Sequence, residues 1–424
     1  MQQIETYWGY LERRERTGKQ SFTLTFEAID EAQAGRIRLR DIAGPRLSES
    51  VLEIRSTFIE IEINHKDADY LQAKRLIESR WYQLKMGNGS RKCRIWDDKG
   101  QLLENQSQSI DFTEIGPGGD GILNANMTLA RAAPAATRTD GEQWLQALNH
   151  RAANAQGLAV FDVGQGSCAG LCDSNGEVVL YFDYGMPFGP NARTSSSPLC
   201  WHQGIQPEVL LSHWDLDHLY GFRNRPEILQ SRWTAPHSAR PLGVTHLQLA
   251  AKLGKNLNLV TTEPGVMLCG TPLSIGAGSG KGKNDSGLAV LVRLPHGNGE
   301  HLSFLPGDCS YQFLPWQPGL LQIDLLVESH HGGNHHSKSR SKNGIPAPRR
   351  PGSKPIASCG WQNSYKHPSI TAQSKLAEQG WGDRHTTARN PISATPGTGG
   401  FRLLGTHNPV ACGEDCRQQC GRRF

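Results

Sequence analysis

His213, Trp214, Asp215, Leu216, Asp217 and His218 place four ligand-type side chains within six consecutive residues. Imidazole nitrogens and carboxylate oxygens together suit Zn²⁺, Mn²⁺ or iron. A straight strand or a bare helix cannot point all four the same way, so the segment requires a strand end running into a tight loop. Such a loop can aim His213 and Asp215 at one cation and Asp217 and His218 at a second. Asp308, on the turn of FLPGDC, is a carboxylate able to bridge two ions. His330 and His331, in VESHHGG, offer a late imidazole. Adjacent side chains of a strand face opposite sides, so one of the two is expected as a direct ligand. Asp183, in LYFDYG, is placed to hydrogen-bond a ligand histidine from behind.

The elements that must carry these residues are apolar strands. GLAVFDVGQG, EVVLYFDYG, PEVLLSHWDLDH, HLSFLPGD and IDLLVESHHGG are each an apolar run ending in polar or ligand-type residues, and LAVLVRL (288–294) is a further apolar strand. Chemistry gathered at strand ends is what layered α/β folds build. Residues 1–128 have another texture. SFTLTFEA, GRIRLRDI, STFIEIEI and RKCRIWDD alternate apolar and polar residues as half-buried strands do. The spacing of Tyr70, Leu71, Leu76, Ile77, Trp81 and Leu84 predicts a helix over 66–84. No dense His, Cys or Asp cluster occurs here, which implies an α+β accessory domain, a docking or structural module. Residues 129–156 read as a linker, rich in Ala, Pro and Thr, followed by a short helix.

At 424 residues the chain is long enough for two or three domains. Its apolar share of 37%, with 47 Gly and 24 Pro, implies many loops. A net charge of +5 permits a polyanionic substrate. No apolar run reaches the length of roughly 18 residues that a membrane span needs, so no membrane partner is expected. The N-terminal residues lack a signal-peptide core, and the ten cysteines are scattered. A cytoplasmic protein with mostly reduced thiols is expected.

FDVGQG (161–166), FDYG (182–185), SHWDLDHLYG (212–221), NDSG (284–287), LPGD (305–308), ESHHGG (328–333) and NSYKHP (363–368) occur in this order. The series resembles the metallo-β-lactamase superfamily, and is most similar to the branch typified by the hydrolase domain of the competence protein ComEC. The resemblance covers about residues 157–400. It implies an αββα metallo-β-lactamase sandwich over 157–405, preceded by the N-terminal α+β domain and followed by a Cys-rich tail (406–424), with a divalent metal site at one edge between the sheets. In the superfamily's His-x-His-x-Asp-His signature, His213 matches the first His, Asp217 the Asp and His218 the last His. Asp215 stands where the second His is usual, as it does in the ComEC-like branch. Asp308 matches the bridging Asp, and His330 or His331 the late His, with His331 preferred. The superfamily's middle His has no clear counterpart; His237 and His246 fall in that interval without a motif around them. The site formed by Asp217, His218, Asp308 and the late His is therefore the more complete one.

One or two Zn²⁺ or Mn²⁺ ions held this way can supply hydroxide at neutral pH, so no Ser, Cys or Lys nucleophile is required. Asp217, at the centre, and His367, as general acid or phosphate ligand, are the candidate reacting groups. Tyr365 belongs to the same motif. Asp162 and Gln165, in FDVGQG, are expected to shape the turn and support the site, Asn284 to position, and Lys281 and Lys283 to add positive charge before NDSG. The segment 337–354 holds six basic residues and no acidic one, among them Lys338, Arg340 and Lys342; following His331 directly, it can neutralise phosphates. A phosphodiesterase or nuclease is the leading reading. A hydrolase of a small phosphoester, lactone or thioester, and a non-catalytic metal-binding scaffold, are the alternatives. The N-terminal domain could dock a protein partner. Cys412, Cys416 and Cys420 share one helical face and, with His407 or Cys359, could hold a structural metal.

Overall fold

The computed structural model describes residues 5–16, 20–41, 51–67, 70–97, 101–114, 127–139, 141–195, 206–238, 240–316, 321–333, 344–382, 385–387 and 403–404. Lys338, Arg340, Lys342, His407, Cys412, Cys416 and Cys420 lie outside the described residues. The chain is a mixed α/β protein of two compact units. The N-terminal unit comprises Met1–Ala136, Phe188–Arg193 and His237–Lys255; the C-terminal unit comprises Thr137–Pro187, Thr194–Pro236 and Asn256–Phe424. Among the described residues no helix is long and apolar enough to cross a membrane.

The N-terminal unit is built on five antiparallel strands: β1 (Glu5–Arg16), β2 (Ser21–Asp30), β3 (Thr57–Asn64), β4 (Trp81–Trp96) and β5 (Leu102–Glu114). The long β4 is shared. Its first part pairs with β1, from Glu5↔Met86 to Tyr10↔Trp81, and its last part with β3, from Phe58↔Trp96 to Ile61↔Cys93. The sheet thereby closes on itself around Leu24, Phe26, Ile59, Ile61, Tyr82 and Leu84. Two expectations are corrected. The helix foreseen over 66–84 covers only Tyr70–Arg75. Tyr82, Leu84 and Met86 repeat every second residue, and a strand buries all three on one face where a helix would spread them. GRIRLRDI, foreseen as a strand, lies mostly within the helix Glu31–Asp41. Its start is set by Asp30, whose Oδ1 accepts from Gln33 N at 2.8 Å.

The first sheet of the C-terminal unit takes β6 (Thr137–Thr139), β7 (Gly157–Val160), β8 (Cys168–Cys172), β9 (Val178–Tyr184), β10 (Glu208–Leu210), β11 (Trp233–Pro236) and β12 (Leu257–Val260). The second takes β13 (Met267–Leu268), β14 (Leu273–Ala277), β15 (Leu288–His296), β16 (Gly299–Leu305), and, after β17 (Gln322–Ile323), β18 (Leu325–Val327). Then come β19 (Ala347–Pro348), which pairs only with β17, β20 (Lys354–Ala357), β21 (His385–Thr386) and β22 (Leu403–Leu404). The first sheet runs β22-β7-β8-β9-β10-β11-β12-β6 and the second β13-β14-β15-β16-β18-β20-β21. β6 falls within the segment read as a linker. It is held parallel to β12, with the hydroxyls of Thr137 and Thr139 both donating to Asn258 Oδ1.

One apolar core joins the sheets. Leu158, Leu171, Leu180 and Leu210 of the first meet Ile275, Val290, Leu305 and Leu325 of the second, with Trp144 and Leu148 of the helix Gly141–Ala152. β15 shows why LAVLVRL reads as an unbroken apolar run: Leu288, Val290, Val292 and Leu294 enter this core, while Ala289 and Leu291 enter a second core. That second core includes Leu376 of the helix Ile370–Glu378. A strand buried on both faces needs apolar residues at every position. β9 and β10 pair in parallel, as do β16, β18 and β20. Parallel pairing brings their C-terminal ends to one edge of each sheet.

Candidate metal centre

From the first sheet, β9 ends with Asp183 and β10 leads into Ser212 and His213. Asp183 adopts a left-handed backbone (φ 60°), a conformation Asp tolerates better than most residues. Its Oδ1 accepts from Ser212 N at 2.7 Å, and its Oδ2 faces His218 Nδ1 at 2.7 Å and Ser212 Oγ at 3.0 Å. The short helix Leu216–Leu219 presents Asp217 and His218, both buried. Asp215 stands at its N-cap position without capping it, so its carboxylate is left for other partners. The turn after β9 packs tightly on this helix: a Cβ on Gly185 would sit 1.8 Å from the Asp217 carbonyl oxygen, so only glycine fits. Ser167, in the Gly turn after β7, donates its N–H to the same carbonyl at 2.9 Å.

From the second sheet, β16 leads through Gly307 to Asp308, and β18 to His330 and His331. Both histidines are left-handed, φ 51° and 56°. The alternation expected of an extended strand therefore does not hold there, and both imidazoles turn toward Asp308. His330 Nδ1 lies 3.0 Å from Asp308 Oδ2; His331 Nε2 lies 3.7 Å from Asp308 Oδ1 and 3.1 Å from Asp217 Oδ2. His218 Nε2 lies 3.0 Å from Asp308 Oδ1, and His213 Nε2 lies 4.0 Å from Asp308 Oδ2. Two groups of ligand atoms thus converge, one from Asp217, His218 and His331, the other from His213, His218 and Asp308. Two consecutive non-glycine residues in left-handed backbone are strained, a feature concentrated at functional sites.

The donor set fits a cation. His218 Nδ1 is tied to Asp183, and His331 Nδ1 to the Ser358 carbonyl at 2.7 Å. Each ring therefore carries its proton on Nδ1 and turns the Nε2 lone pair inward. Those Nε2 atoms are buried, make no aligned hydrogen bond, and face carboxylate oxygens. A lone pair and a carboxylate repel unless a proton or a metal ion lies between them. With protons alone, burial would lower the His218 imidazole, but Asp308 and Asp183 outweigh it and hold its pKa well above the usual range. His331 is raised likewise against burial by Asp308 and Asp217. Burial would raise the Asp308 carboxyl, yet His330, His218 and His331 hold it well below the usual range.

The remaining sequence candidates surround this centre. His367 stacks on His331 at 6.2 Å between ring centroids and lies 5.4 Å from His330. Tyr365 is buried, 5.8 Å from His367. Asn284 Nδ2 contacts His330 Nδ1 at 3.1 Å. Asp162 Oδ1 accepts from Gly164 N at 3.4 Å, shaping the turn. Arg349 and Arg350, in the basic segment, are engaged by Asp324, Arg350 Nε at 2.6 Å from Oδ1. His246 lies in the other unit, beside Glu12 and Glu27. Cys93, Cys168, Cys172, Cys269, Cys309 and Cys359 form no disulfide. Burial pushes Cys172 and Cys359 up to about 12, which removes them as nucleophiles.

Two participants, Ser212 and the Ser358 carbonyl, escape sequence reasoning, and so do the partners of Gln165 and Lys283. Ser212 fixes Asp183 and touches His213 Nδ1 at 2.9 Å; its only signal is its position before the ligand loop. The Ser358 carbonyl carries no side-chain signature at all. Gln165 Nε2 reaches His367 Nδ1 at 3.5 Å. Lys283 Nζ lies 2.5 Å from Asp215 Oδ1, a pairing across 68 residues of chain that spacing cannot reveal.

No protein-family model matches the chain, and no curated protein matches its sequence. Among solved structures it is similar to metallo-β-lactamase fold proteins. YhfI from Bacillus subtilis matches at 12% identity and TM-score 0.31, over 59% of this chain and 100% of that one. Zn²⁺-bound PqqB from Methylobacterium extorquens matches at 10% identity and TM-score 0.30, over 53% and 96%. MEM-A1, a subclass B3 metallo-β-lactamase from a soil metagenome library, matches at 14% identity and TM-score 0.26, over 54% and 95%.

Proposed function

We propose that the chain is a metal-dependent hydrolase of phosphodiesters, a nuclease of the ComEC-like kind, using Zn²⁺ or Mn²⁺. The observation that carries this reading is the convergence of buried Asp217, His218, Asp308 and His331, with two Nε2 lone pairs turned onto carboxylates. A divalent ion held there would lower the pKa of a water toward about 7 and so supply hydroxide at neutral pH. The chain's own residues set the rest. Asp183 and the Ser358 carbonyl lock the tautomers of His218 and His331. Asp308 faces His218 and His331 with one oxygen and His330 with the other. His367, packed against both late histidines, would hand a proton to the leaving oxygen. The phosphodiester preference is supported by the basic run that follows Gly333. The N-terminal unit would then serve delivery to a substrate or protein partner.

The test is cleavage of linear and circular DNA and of RNA by the purified protein with Mn²⁺ or Zn²⁺, beside Asp217→Ala and His218→Ala. The wild type should cleave one of these polymers, and both variants should lose metal and cleavage together. Equal residual cleavage in wild type and variants overturns the proposal.

A further inference from the structure

We propose that Lys283 occupies the place of a second metal ion, so that the centre binds a single divalent cation beside a built-in ammonium. The inference rests on the metal-site reading above and deepens it.

His218 limits the ligand supply. Its Nδ1 is committed to Asp183 at 2.7 Å, so it has one nitrogen for an ion and can serve only one of the two groups of ligand atoms it joins. With His218 given to the ion held by Asp217 and His331, the other location keeps His213 Nε2, Asp308 Oδ2 and Asp215. There, Asp215 Oδ2 lies 3.4 Å from His213 Nε2, and Asp215 Oδ1 lies 2.5 Å from Lys283 Nζ. Asp215 is fully buried, and a buried carboxylate requires a compensating positive charge. Lys283 supplies it from a side chain only 10% exposed.

The loop that carries the lysine is held in place. Ser286 N and Oγ both donate to Gly282 O, at 3.0 and 2.8 Å, closing the turn around Lys283. Asn284, the next residue, contacts His330. Ser310 N donates to Asp285 Oδ1 at 3.1 Å. Leu288 N donates to Ser212 O at 2.8 Å, which ties the end of the loop to the residue before His213. The ammonium is thus anchored to the same strand ends as the ligands. A dication at the His213–Asp215 position would meet that fixed positive charge on the carboxylate it needs. Lys283 is in this sense a positioning residue: it satisfies Asp215 and reserves the second position.

The experiment is metal counting on the full chain. Wild type, Lys283→Met, Lys283→Arg and the double variant Lys283→Met/Asp215→Asn are equilibrated with Mn²⁺ alone, and bound manganese per chain is read by elemental analysis and by electron paramagnetic resonance. Wild type and Lys283→Arg should hold one isolated ion. Lys283→Met should hold two coupled ions, and the double variant should return to one. Two ions in wild type, one in Lys283→Met, or two in the double variant overturns the proposal; the wild-type count decides even where a variant does not fold. No ion in wild type refutes the metal site itself, a separate outcome from a failure of the lysine's role.

Discussion

In the N-terminal unit, Glu12 and Glu27 flank His246; in the C-terminal unit, Asp217 and Asp308 flank His331. Both groupings are buried carboxylate–imidazole clusters, and their wiring differs. Glu27 Oε1 accepts from Ser56 Oγ at 2.8 Å, Thr245 N at 2.9 Å and Thr245 Oγ1 at 2.6 Å. His246 meets Glu12 with one nitrogen at 3.6 Å and Glu27 with the other at 4.0 Å, so its two edges point to separate acids. This arrangement pins the helix Val244–Leu253 to the strands that carry the acids. In the C-terminal unit His218 and His331 each spend Nδ1 on an anchoring acceptor and turn Nε2 to a shared centre. Buried histidine and acid alone do not mark a site; the convergence of lone pairs does.

The comparison breaks first, and with the largest effect on stability, at Glu27. Removing its carboxylate strands the Ser56 and Thr245 donors and takes one acid from His246. Loss of one member of a buried charged cluster costs about 3–5 kcal/mol. Glu27→Ala should therefore lower the denaturation midpoint sharply, read by chemical unfolding, while the folded protein keeps its metal content. A variant of near wild-type stability, or one that folds but loses its ion, would show that the two clusters are not wired for different ends.

The same contrast explains what can be read without coordinates. The converging side chains are written in short strand-end motifs, so SHWDLDH, LPGD and ESHHGG disclose both the residues that meet and the apolar strands behind them. Local pattern fails where a distant partner or an unusual backbone decides. Left-handed φ at His330 and His331 turns both rings inward, which strand alternation does not anticipate. Lys283 meets Asp215, and Gln165 meets His367, across 68 and 202 residues. In the N-terminal unit the alternation in β2 and β3 is plain. Residues 66–84 carry a helical spacing at the start and a two-residue repeat at the end, and pairing with β1 settles Trp81–Leu84 as strand.

A sharper probe swaps a single atom behind His218. In Asp183→Asn the remaining oxygen must still accept from Ser212 N, which leaves the amide nitrogen against His218 Nδ1. The imidazole then has to accept at Nδ1 and carry its proton on Nε2, where it cannot bind a cation. Changes to such supporting partners cost roughly 10–100-fold in metal affinity. Mn²⁺ titration should show a loss of that size with little change in unfolding midpoint. Unchanged affinity would mean that Asp183 only shapes the turn.

The smallest effect is expected at Gln165. Its Nε2 stands 3.5 Å from His367 Nδ1, and its Oε1 accepts from Gly360 N at 3.4 Å, both long for hydrogen bonds. Neither group reaches the ligand atoms. Gln165→Ala should leave the bound ion and its affinity in place and lower the rate of the proposed phosphodiester cleavage by less than about tenfold, the worth of one weak hydrogen bond at roughly 1 kcal/mol. Should the ion be lost instead, His367 would belong to the ligand set. If neither rate nor its pH profile moves, the Gln165 contact does not orient the imidazole of His367, and Asn363 fixes its backbone: the Asn363 Oδ1 accepts from the His367 main-chain N–H at 2.9 Å and the Asn363 Nδ2 donates to the His367 main-chain carbonyl at 2.7 Å.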